Sequence, residues 1–210
     1  MTSYFLEPAQ NKTNYEELLS KSVLELQDFF GFQLKVKPCL LFLKSRQEFD
    51  DICGRPTESW VTGYNISNLV FLMEETVYEQ ESSKKLNPEN YPLTVKHEVC
   101  HIFYRQLVGK NKPTWLSEGL SLFLSNQIKF RSRPDTFKNF LKFGDKNSVD
   151  QETVYEESGF VVEKLFNKFG KEKLLELIKV TREIGNDQQF NEKFSQIYGS
   201  ELSYDFINEL

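Results

Sequence analysis

His97-Glu98-Val99-Cys100-His101 is the stretch on which the reading of this chain turns. On a helix, residues four apart lie on one face, so both imidazoles can reach a single ion. Nitrogen ligands at that spacing suit tetrahedral Zn²⁺, which in catalytic sites takes three protein ligands and keeps a position open for water. Glu98 neighbours the first ligand but projects about 100° away around the helix axis. It is placed to accept a proton from water that the metal acidifies rather than to bind the metal. The chain holds 2 histidines, and both fall in this string.

Working outward, the next apolar segment is Trp115-Leu116-Ser117-Glu118-Gly119-Leu120-Ser121. Sixteen residues, 102 to 117, separate His101 from Glu118, and Gly109 and Pro113 lie between them. That length allows two more helical turns, a reversal and the start of a second helix, which brings a carboxylate back level with His101. A set of His97, His101 and Glu118 is one of the recurring catalytic zinc arrangements. One such set can be assembled from this chain, which predicts one zinc ion per molecule.

The two motifs resemble those of the gluzincins, the thermolysin and aminopeptidase superfamily of zinc peptidases. The Trp-Leu-x-Glu-Gly string is most similar to the aminopeptidase-like branch, and the likeness runs on through Val154-Tyr155-Glu156-Glu157-Ser158-Gly159 to Phe169-Gly170. It covers about residues 60–210 and is specific at the zinc motifs. The resemblance implies a zincin-like fold, with a cleft between a sheet-containing lobe and a helical lobe. It implies peptide-bond hydrolysis by zinc-activated water with Glu98 as general base. A similarly placed tyrosine in that branch donates a hydrogen bond to the tetrahedral intermediate, a role that falls to Tyr155.

Three departures from the family pattern are visible. The spacing between the second His and the Glu is slightly shorter than in the large aminopeptidases. Where the thermolysin branch has an Asp four residues after the ligand Glu, this chain has Leu122. The Gly-x-Met-Glu-Asn motif that grips a free amine in aminopeptidases has only an echo in Met73-Glu74, with Glu75 in place of the Asn. Glu74 and Glu75 read as solvated loop charges, so endo- and exopeptidase action stay open.

The rest of the chain supplies the frame. Tyr15, Leu18, Leu19, Val23, Leu26, Phe29 and Phe30 recur at helical spacing and Gly31 ends the run. Phe32 to Leu43 reads as extended chain ending in a buried run, Cys39–Leu43. Ser45 caps a short helix that stops near Gly54. Two strands follow, Trp60–Tyr64 and Leu69–Met73, joined by an Asn/Ser turn, with Leu69–Met73 as an edge strand able to pair with an extended peptide. Residues 74–90 form a polar loop. Beyond Tyr91 the pattern is helical throughout: 91–108, 114–127, 134–143, 151–169, 171–184, 187–197 and 201–209, with glycines 109, 144, 170, 185 and 199 at or near the breaks. Sheet first and helices after is an α+β plan with a small N-terminal mixed sheet. It is expected to form one catalytic domain over 1–210, residues 1–108 ending in the zinc helix and 109–210 forming a helical lobe.

Composition narrows the function classes. The 210 residues carry 39% hydrophobic and 27% charged side chains, the proportions of a globular protein. The 19 phenylalanines predict a core packed through aromatic rings. Net charge is −5 with no Lys/Arg cluster, so a nucleic-acid surface is not expected. No apolar run is long enough to span a bilayer. Met1-Thr2-Ser3-Tyr4-Phe5-Leu6-Glu7-Pro8 lacks the features of a signal peptide, and 3 cysteines without a C-x-x-C pair argue against a disulfide framework. The expected setting is a reduced cytoplasm and the expected partner a peptide or protein substrate. Two other readings stand beside the peptidase: a zinc-stabilised binding or regulatory protein without turnover, and a zinc hydrolase of a small non-peptide substrate.

Overall fold

Leu19, Leu26 and Phe30 recur along one side of the first helical segment, and the structure buries them together with Tyr15 and Ser22 on α1 (Tyr15–Phe30). The structure is a computed structural model that describes residues 14–110, 112–142 and 151–210. Met1–Pro8 and the expected break at Gly144 lie outside those residues. The Asn14 side chain accepts the Glu17 N–H at 3.2 Å and fixes the start of α1.

The strands are β1 (Cys39–Leu43), β2 (Gly63–Ile66) and β3 (Leu69–Met73), with α2 (Arg46–Cys53) between the first two. Ser45 caps α2, accepting the Glu48 N–H at 3.2 Å, as its position in the sequence predicts. In sheet order β1-β3-β2, β1 runs parallel to β3, with Cys39 opposite Leu69, and β2 runs antiparallel to it, with Gly63 opposite Leu72. Three expectations are corrected here. Leu69–Met73 is the central strand rather than an edge, because Val70 to Met73 are buried on both faces. Among the described residues β2 is an edge, and it spans 63–66 rather than 60–64. β1 is the other edge, so only Leu43 of its apolar run is buried and Cys39 is exposed.

Trp60 and Val61 stay out of the sheet because their segment is held from α2. The Arg46 guanidinium donates to Thr57 Oγ1 at 3.0 Å, Ser59 O at 3.1 Å and Val61 O at 2.7 Å. It also donates to Glu81 O at 2.9 Å, while the Arg46 N–H donates to Glu81 Oε2 at 2.8 Å. Glu81 ends a one-turn helix, α3 (Tyr78–Glu81), inside the stretch read as polar loop. Glu74 and Glu75 are half-buried rather than solvated, and Tyr15 Oη donates to Glu75 Oε1. Tyr91 Oη donates to Met73 O at 2.5 Å, and burial raises its phenol far above the ordinary value.

Downstream, the helices are α4 (Leu93–Val108), α5 (Thr114–Leu124), α6 (Gln151–Val180), α7 (Asp187–Tyr198) and α8 (Tyr204–Glu209). The architecture is α+β, a small mixed sheet followed by helices. The chain divides into two compact units, Met1–Ile102 and Phe103–Leu210, and the division falls inside α4. Gly109, at φ 86, ends α4, and Tyr104 Oη donates to Lys112 O at 3.0 Å across the turn. Gly170, at φ 84 and ψ 171, breaks α6 where two separate helices are expected from the sequence.

In the second unit, α5 and α6 pack through glycines. A Cβ on Gly119 would stand 2.3 Å from Ser158 O, and one on Gly159 would stand 2.7 Å from Ile128 Cγ2. Edge-to-face rings continue the core, from Trp115 to Phe140 at 5.5 Å and on to Tyr204 at 5.3 Å. The helix expected at 134–143 does not form within the described residues, which there hold only a 3-10 turn at Phe140–Lys142. The reason is a competing partner. The backbone N–H groups of Lys138, Asn139 and Phe140 donate to the buried Glu157 Oε2, at 3.1, 2.6 and 2.9 Å, instead of to a helical ladder. Likewise α5 stops at Leu124 rather than 127, since Asn126 takes a left-handed conformation. Among the described residues no helix is long and apolar enough to cross a membrane.

Candidate metal centre

α4 is apolar around most of its circumference: Val95, Val99, Cys100 and Phe103 are fully buried. Its polar face carries His97 and His101 one turn apart, the first half-buried and the second 4% exposed. Their rings meet edge to face at 4.9 Å, and the two Nε2 atoms stand 3.2 Å apart. Two imidazole nitrogens that face each other this closely repel unless a proton or a cation lies between them. A tetrahedral ion with Zn–N bonds of 2.0–2.1 Å would hold two such nitrogens about 3.3 Å apart.

Glu118 supplies the third donor from α5. Its neighbours Trp115, Leu116, Ser117, Gly119 and Leu120 are buried, while Glu118 itself is half-buried. One ligand atom from each of His97, His101 and Glu118 lies within 4.8 Å of the others. Two neutral nitrogens and one anionic oxygen form a donor set suited to a divalent cation of borderline softness. The three residues therefore fit a metal ion, and no other group of three His, Cys, Asp or Glu donors converges among the described residues.

Glu98 is not one of the three. Its side chain is 6% exposed, and its Oε2 accepts a hydrogen bond from Asn65 Nδ2 on β2. Among the described residues Oε1 accepts none, and a Cβ on Gly63 would come within 2.7 Å of it. Gly63 and Asn65 are two apart on a strand and share a face, which here is the face turned to Glu98.

Tyr155 lies near the start of α6 and is half-buried. By helical spacing it shares a stripe with Ser158, Gly159 and Val162, and Ser158 and Val162 are the residues that meet α5 at Gly119. Leu122, four residues after Glu118, is buried against Gly159 and carries no polar group.

Sequence reading missed Gly63, Asn65 and Glu157. Asn65 and Glu98 are 33 residues apart and meet only through the sheet, so no local periodicity marks the pair. Glu157 lies two residues after Tyr155, and its work is structural, holding residues 138–140. Comparison with protein-family models, curated proteins and solved structures gives no match to this chain.

Proposed function

We propose that this chain is a zinc-dependent peptidase of the gluzincin type, with a zincin-like fold, acting on peptide or protein substrates in the cytoplasm. The observation that carries the reading is the convergence of His97, His101 and Glu118, with two imidazole nitrogens already at the spacing of a tetrahedral edge. The motif order adds to it, since a glutamate follows the first histidine directly and a second glutamate comes from the next helix.

Held by those residues, zinc would supply Lewis acidity, polarising a carbonyl and acidifying water. Glu98 accepts the proton of the attacking water and passes it to the leaving amine. Its burial keeps bulk water from competing for that proton. Tyr155 donates a hydrogen bond to the oxygen on which negative charge develops. His97 and His101, one turn apart on α4 beside its buried Val95, Val99, Cys100 and Phe103, would hold the ion together with Glu118.

Zinc content and peptide-library cleavage measured on one preparation, for wild type and Glu98→Gln, test this reading. Glu98→Gln keeps size and shape and removes the proton acceptor. Zinc is expected at one equivalent in both, with cleavage reduced about 10²–10⁴-fold in the variant. Full zinc with near-normal cleavage by the variant would sink the mechanism. Full zinc with no cleavage by wild type would favour the binding-protein reading.

A further inference from the structure

A carboxylate has two oxygens, and a general base uses one of them. In Glu98 the two differ: Oε2 is bonded by Asn65 Nδ2, and Oε1 accepts no hydrogen bond among the described residues. We propose that Asn65 is a positioning residue for Glu98 and that Oε1 is the oxygen that takes the proton; the proposal rests on the hydrolytic reading above.

The terminal torsion of a glutamate is broad, so an unheld carboxylate swings. Asn65 does not swing. It is 9% exposed and set by the β2–β3 register, opposite Val70. Its amide N–H is the group that must face the carboxylate, because the amide oxygen would repel it. Gly63, two residues earlier on the same face, provides the hollow. A Cβ there would lie 2.7 Å from Glu98 Oε1 and 2.8 Å from Thr94 Cγ2. One short strand thus gives Glu98 both a donor for one oxygen and room for the other.

The proton balance is consistent with this division. An O–H bond of water breaks as its proton forms a bond to Oε1, while the amide protons of Asn65 stay in place. Oε2 remains an acceptor whether Oε1 is charged or protonated, so the hold on the side chain persists through the transfer. A base fixed in this way loses no time or energy in reorienting.

The test uses the full-length, zinc-loaded chain, the peptide that wild type cleaves fastest, and ¹⁵N-labelled protein for the Asn65 side-chain amide. Asn65→Ala is expected to keep its zinc and lose about 10–100-fold in kcat, with KM within about twofold of wild type. Asn65→Asp, of the same shape, is expected to lose at least as much because it sets carboxylate against carboxylate. In wild type one Asn65 amide proton is expected downfield of exposed asparagines, returning toward them in Glu98→Ala. An unchanged kcat in Asn65→Ala, or an amide signal indifferent to Glu98→Ala, would overturn the proposal. The spectroscopic comparison leaves Asn65 in place, so it decides even if Asn65→Ala fails to fold. Zinc-loaded wild type that cleaves no peptide would overturn the hydrolytic reading and the assignment of Oε1 together, and a shifted amide signal in that protein would support the hold on Glu98 alone.

Discussion

Gly119 follows the proposed ligand Glu118, and replacing it with alanine tests how that carboxylate is held in place. The added Cβ would stand 2.3 Å from Ser158 O, 2.8 Å from Ser158 C and 2.8 Å from Val162 Cγ2. A carbon and a carbonyl oxygen tolerate about 3.3 Å, so the contact is short by about 1 Å. The obstacle is backbone, which no change of rotamer removes. Alanine gains about 1 kcal/mol of helix propensity over glycine. Overpacking costs about 1–3 kcal/mol, and a backbone obstacle puts this case at the upper end. The net loss is expected near 2 kcal/mol, or about 4–8 °C in Tm for a chain of this size. Because α5 must shift to make room, Glu118 shifts with it, and zinc affinity is expected to fall about tenfold. The assays are urea unfolding of metal-free protein and chelator competition for zinc. Gly185→Ala is the control, since its Cβ would meet only Gln189 Oε1, at 3.5 Å, and stability should stay within about 0.5 kcal/mol. A Gly119→Ala protein within that same margin would refute the packing argument.

Other outcomes follow from the same geometry. Glu118→Ala should lower bound zinc well below one equivalent in elemental analysis, and equal zinc in wild type and variant would remove Glu118 from the site. Tyr155→Phe should reduce kcat about 10²–10³-fold with KM little changed, as expected for a donor engaged in the transition state; an unaltered kcat would leave Tyr155 a packing residue. Glu157→Ala should destabilise the fold by about 3–5 kcal/mol in denaturant unfolding, because it strands three backbone N–H groups and the Asn139 amide, which donates to Glu157 Oε1 at 2.9 Å. A loss under about 1 kcal/mol would mean that water replaces the carboxylate.

What could be read from the sequence is what depends on short-range geometry. The four-residue spacing of His97 and His101 fixes their common face on any helix, and the strong apolar run after Pro113 located the helix that carries Glu118. Capping was also legible, at Ser45 and at the glycines that end α1 and α4. What failed depends on pairing at a distance. The sequence pattern predicts an edge at Leu69–Met73, but its continuous apolar run fits burial on both faces and so a central strand. Residues 134–143 have acceptable helix propensity, but a carboxylate on α6 outbids the helical ladder for their N–H groups. Asn65 was invisible for the same reason: its importance lies in a register that the chain sets only after three strands have met.

Arg46 gives this sheet an unusual dependency. The five hydrogen bonds of its guanidinium reach Thr57, Ser59, Val61 and Glu81, and with them it holds the segment that leads into β2. The strand that seats Glu98 is four residues long and, among the described residues, paired on one side only, so it borrows its order from a side chain on α2. Sequence drift in this lineage would then be constrained in a particular way. Ser59 and Val61 are gripped through their carbonyls and tolerate other side chains, whereas Thr57, whose hydroxyl accepts from Arg46 and donates to Asp50, and Arg46 itself do not. A lysine there, with one compact head in place of a planar fork, could reach only part of that set.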